Sequence, residues 1–101
     1  MERLFFVTYG YSGAGRVSAM ERTMFDEACA QYLHHIVKEG DLDDIVLELQ
    51  ERQNVYCKGK SRCNPVPISH SLSPGPRGWR YINIGRSSLT LVAVQGEIPK
   101  C

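Results

Sequence analysis

Two cysteines six residues apart enclose three cations in the string Cys57-Lys58-Gly59-Lys60-Ser61-Arg62-Cys63. Lysine supplies a compact charge and arginine a fork of N–H donors, a combination suited to phosphate or carboxylate oxygens. Further along, Arg77, Arg80 and Arg86 add positive charge, and Trp79 and Tyr81 share one strand face on which a base or a partner's side chain could stack. Lys58, Lys60, Arg62, Arg77, Trp79, Arg80, Tyr81 and Arg86 are therefore the candidate partner contacts. The plainer alternative is a solvated basic loop followed by an ordinary strand.

Other arrangements carry less. Cys57, Cys63, His70 and Cys101 are zinc-ligand types, but the gap between the first two exceeds the usual knuckle spacing, so no metal or other cofactor is assigned. Gly59-Lys60-Ser61 resembles the end of a phosphate-binding loop, yet Asn54 stands where that motif needs glycine and no helical pattern follows. The glycine run from Gly10 to Gly15 leads into an alternating segment and not a helix N-terminus, so it reads as a hairpin turn. His34 and His35 project about 100° apart on a helix and do not clamp one ion, and Cys29 reads as a small core residue. No nucleophile elbow, metal-binding histidine pair, kinase string or carboxylate pair emerges, which points to binding and away from catalysis.

The elements that must position these residues share one core, because 101 residues are one domain's worth of chain, here residues 1–101. With 43% hydrophobic and 23% charged residues the composition is globular. The opening Met1 to Val7 is too short and too acidic for a secretory leader or a membrane span, so a cytoplasmic chain with no membrane partner and reduced thiols is expected. Net charge is +1, but residues 1–51 hold ten acids against four bases while residues 52–101 hold eight bases against one acid. Either the halves neutralise each other, within the fold or between subunits of a dimer, or the second half faces an anionic partner.

Leu4 to Tyr9 reads as a strand, and the alternation over Arg16–Arg22 as its returning partner. Thr23 with Asp26 at the start and Gly40 at the end frame an amphipathic helix over about 24–39. Ile45, Leu47 and Leu49 share a face at period two and predict a strand, with a helix running to about residue 53 as the alternative. Residues 57–78 hold four of the five prolines, three glycines and four serines and form a long partner-facing loop. Trp79–Ile84 and Ser88–Gln95 make a second hairpin around Gly85-Arg86-Ser87, and the doubly apolar last strand calls for a central position or a dimer contact. The expected fold is α+β: an antiparallel sheet of four to five strands with one helix on one face.

The segment Leu4–Gln50, with its Phe5-Phe6-Val7-Thr8-Tyr9 opening, glycine turn, amphipathic helix and Asp44-Ile45-Val46-Leu47-Glu48-Leu49 strand, resembles small phage and prophage accessory proteins built hairpin, helix, strand. That resemblance spans roughly half the chain and carries over no functional residue. It implies a host-directed binding protein, including the anti-defence class similar to anti-CRISPR inhibitors, which occupy a surface of a protein or nucleoprotein defence complex. The expected function is thus a non-enzymatic inhibitor or adaptor, monomeric or homodimeric. A nucleic-acid or nucleotide binding module using the basic 57–86 segment is the alternative.

Overall fold

The computed structural model describes residues 3–8 and 17–94. Its elements run β1 (Arg3–Val7), α1 (Ala19–Tyr32), β2 (Ile36–Lys38), a 3-10 turn (Glu39–Asp41), α2 (Leu42–Cys57), β3 (Ile68–His70), a 3-10 turn (Pro76–Gly78), β4 (Arg80–Ile84) and β5 (Ser87–Ala93). The strands form one antiparallel sheet in the order β2-β1-β5-β4-β3, so the apolar last strand is central. Strand alternation puts Leu4, Phe6, Ile82, Ile84, Leu89 and Leu91 on one face, where they are buried with Met24, Phe25 and Ala28 of α1 and Leu42, Ile45 and Leu49 of α2. Both helices therefore cover the same face. The α+β class and the antiparallel sheet agree with the sequence reading, but there are two helices, and several elements differ in kind.

α1 begins at Ala19, not after Thr23, because Ser18 is the N-cap and its Oγ accepts from the Glu21 amide at 3.1 Å. Residues 19–22 are thus helical where a returning strand is expected, and β1 pairs instead with β2 and β5. Residue 16 and the glycine run lie outside the described residues. The helix stops at Tyr32 because His34 takes a left-handed φ of 66° and the backbones of His34 and His35 bond Phe6, each at 2.9 Å. The β-branched Ile36-Val37 then joins the sheet, and Gly40 falls in the following turn.

The period-two pattern over 45–49 does not make a strand. Leu42, Ile45, Leu49 and Gln53 are buried along one helical face, whereas Leu47 points outward at 58% exposure. Good helix formers and acids in the first turn, Asp43 and Asp44, favour this outcome, which is the alternative reading carried four residues further. No helix of the described residues is long and apolar enough to cross a membrane.

A cationic ring beside the first turn of a helix

α2 ends on Cys57, and the chain turns away through Lys58 and through Gly59, whose φ of 75° suits glycine. The Lys60 amide bonds the Cys57 carbonyl at 3.0 Å, and Cys57 and Cys63 form a disulfide. The reduced pair expected from the sequence is replaced by a covalent ring that holds Lys58, Lys60 and Arg62, all exposed. Beyond the ring, Gln53 acts as a backbone substitute. Its Nε2 donates to the Val66 carbonyl at 3.0 Å and its Oε1 accepts from the Val66 amide at 2.7 Å, while the side chain is only 4% exposed. This clamp fixes the segment leading to β3, so the long loop is built on α2 instead of hanging from it.

A recess of about 290 Å³ lies between the ring and the start of α1, lined among others by Ser18, Thr23, Tyr56, Lys60, Arg62 and Asn64. Lys60 sits over the Tyr56 ring at 5.8 Å, and the Tyr56 hydroxyl donates to Glu27 at 2.8 Å. That hydrogen bond, then the charge of Glu27, pushes the Tyr56 hydroxyl up from its ordinary pKa, so it stays a donor. The β4–β5 turn closes the same end of the molecule. Gly85 donates to the Pro67 carbonyl at 2.8 Å, and a Cβ there would lie 2.7 Å from Glu21. Gly85, with φ 57°, is the first residue of a two-residue hairpin loop whose second, Arg86, is exposed.

The other candidate residues are elsewhere. Trp79 and Arg86 stand at opposite ends of β4, about 17 Å apart at the usual strand rise. At the Trp79 end the Gly78 amide bonds the Gly75 carbonyl at 3.0 Å, closing a turn in which Arg77 has φ 66°, and the Arg77 guanidinium stacks over the Trp79 ring at 5.7 Å. Trp79, just before β4, and Tyr81 within it are half-buried. Arg80, expected as a partner contact, is instead buried: it pairs with Leu91 of β5 on the core face and is 5% exposed. It donates to Glu39, to the Ser71 carbonyl and, at 3.0 Å, to Ser71 Oγ. This is an internal tie and not a contact surface.

Charge is divided accordingly. Arg52 pairs with Glu27 and Glu48, and Arg80 with Glu39, so part of the second half's charge is neutralised within the fold. Lys58, Lys60, Arg62, Arg77 and Arg86 have no ion pair with a described acid. The zinc-type residues do not converge. Cys57 and Cys63 are bonded to each other, His70 bonds Asp43 at 2.6 Å and the Ser71 carbonyl at 2.7 Å, and Cys101 lies outside the described residues. Among the described residues no His, Cys, Asp and Glu cluster could hold a metal. Cys29 keeps its proton, since burial and then Asp26 push its thiol up.

The sequence reading missed Ser18, Thr23, Tyr56 and Asn64 as lining residues. Ser18-Ala19-Met20-Glu21 fits the helix-start pattern of a hydroxyl residue followed three later by an acid, and that signal was open to detection. No family model, curated protein or solved structure matches the chain.

Proposed function

We propose that this chain is a non-enzymatic binding protein, an inhibitor or adaptor that docks on an anionic surface of a host protein or nucleoprotein. The observation that carries the reading is the disulfide-closed ring, which presents Lys58, Lys60 and Arg62 outward with no acid of the described fold to neutralise them. Closing the ring limits the conformations these side chains must give up on binding, so more of each contact appears as affinity. Tyr56 and the recess beside it add a rigid aromatic edge to the charged rim. The Arg77–Trp79 stack is a second, separate contact of the cation and aromatic type found at binding hot spots.

The hairpin, helix, strand order that carries the likeness to phage accessory proteins is not the order the described residues adopt. A phage-type, anti-defence role is therefore proposed on surface chemistry alone. The second reading, binding of naked nucleic acid or a nucleotide, is favoured by the recess, where two cations meet a capped helix start. The test has two arms. Tagged wild type and Lys60→Glu/Arg62→Glu are used to capture partners from a host lysate, and both are titrated with single-stranded DNA, duplex DNA and cyclic nucleotides at two salt concentrations. The docking reading expects a captured partner that charge reversal removes at unchanged melting temperature. Capture equal in both proteins overturns it, and tight salt-sensitive binding of naked nucleic acid transfers the site to the second reading.

A further inference from the structure

The outer side of the helix layer carries a groove of opposite sign beside the cationic ring. A recess of about 450 Å³ between α1 and α2 is lined by Glu27, Glu48, Glu51, Arg52, Val55 and Tyr56. Arg52 is already engaged by Glu27 at 3.2 Å and Glu48 at 3.6 Å, and Glu51 is exposed with no ion pair to a described cation. Three carboxylates against one guanidinium leave the groove negative. Along its outer edge Leu47, Glu51 and Val55 follow one another at four-residue spacing, with Leu47 and Val55 among the large apolar side chains most exposed in the fold.

Tyr56 lines both this groove and the recess under the ring. One continuous patch thus holds an acidic half and a basic half with Tyr56 at their junction. Such a patch is self-complementary: in a two-fold dimer whatever one copy presents to its partner the partner presents back. An axis beside Tyr56 sets the Lys58, Lys60 and Arg62 ring of each copy against the Glu48, Glu51 and Val55 groove of the other, forming the same contact twice.

We infer that the chain forms a two-fold homodimer in which each disulfide-closed cationic ring seats in the other copy's acidic inter-helix groove. The charges set register and partner choice, and Leu47 and Val55 supply the apolar contact between them. This does not rest on the docking reading, because it concerns the purified chain alone. It does make the ring's two uses exclusive: a partner that takes the ring must separate the copies.

Sedimentation equilibrium of the purified, oxidised chain at about 50 mM and about 500 mM salt reads the association directly, since screening at the higher salt weakens paired surface charges. The expected result is a mass approaching twice 11.4 kDa at low salt and a dissociation constant at least roughly tenfold weaker at high salt. Lys60→Glu/Arg62→Glu gives a monomer, because it sets acids against the acidic groove at both contacts, and Glu51→Lys separately gives a monomer, because it puts a lysine against the ring and leaves the groove with no net negative charge. An equimolar mixture of the two variants restores the dimer as a heterodimer, since one of its contacts is then the wild-type pairing and the other sets the new lysine against the two new glutamates. Recovery in the mixture also shows that both variants are folded. A wild type that stays monomeric at low salt overturns the proposal, as does a dimer that neither variant weakens or a mixture that remains monomeric.

Discussion

Glu21 is an acid buried to 7% exposure in the first turn of α1, with Oε2 lacking a hydrogen-bond partner among the described residues and its side chain pressed on Gly85. Its place near the helix start is favourable by about 0.5 kcal/mol, but a buried carboxylate oxygen without a partner costs more, of order 1–3 kcal/mol. Glu21→Met, similar in length and apolar, is expected to stabilise the fold by about 1 kcal/mol in urea denaturation. A loss of stability instead would mean that this carboxylate has a partner. Gly85→Ala tests the same contact from the other side. It is expected to cost about 2 kcal/mol, from the positive φ and the 2.7 Å approach to Glu21, with part recovered when Glu21 is also alanine. Arg77 bears a related backbone cost, and its stacking on Trp79 offsets about 0.5–1 kcal/mol of it.

Between elements, the α1–α2 contact is fastened by polar groups as well as by the core. The Tyr32 hydroxyl donates to Glu48 at 2.5 Å, and burial first, then this hydrogen bond and the charge of Glu48, push its pKa well above the ordinary value. The folded chain therefore keeps a proton that the unfolded chain releases near pH 10, so stability falls as pH rises above about 10. Tyr32→Phe is expected to flatten that alkaline slope while costing about 1 kcal/mol at neutral pH, both read from denaturation curves. Gln53→Ala leaves the Val66 amide and carbonyl without their side-chain partner and is expected to cost about 2–3 kcal/mol and speed amide exchange at Val66. β1 and the β4–β5 hairpin were legible because β-branched and aromatic runs mark their strands. The 16–22 and 44–50 segments were not, because short alternations such as Ile45-Leu47-Leu49 satisfy period two while the burial of Leu42, Ile45, Leu49 and Gln53 obeys the helical period. β3, three residues inside a proline-rich run, is too short to show a period at all.

At the scale of the molecule, the cations of the candidate surface could be read from sequence but their grouping could not. Lys58, Lys60 and Arg62 stay together because the disulfide closes them into one ring, whereas Arg80 is withdrawn by Glu39, 41 residues away, and Arg77 and Trp79 lie at the far end of β4. The ring also belongs to the fold. Cys57→Ser/Cys63→Ser is expected to lower stability by about 2 kcal/mol, as suits a short closed loop, and to weaken docking by loosening the three cations. The separation of the two clusters predicts that Trp79→Ala and Lys60→Glu/Arg62→Glu affect binding additively, since side chains this far apart share no partner. The most direct test of the docking surface is quantitative capture from one lysate by the wild type and by Lys60→Glu/Arg62→Glu, with melting temperatures measured in parallel on dilute samples at about 500 mM salt, where association of the copies does not contribute. The account predicts at least a tenfold loss of captured partner at an unchanged melting temperature, about 1.4 kcal/mol or more of binding free energy. Equal capture by the two proteins would contradict it.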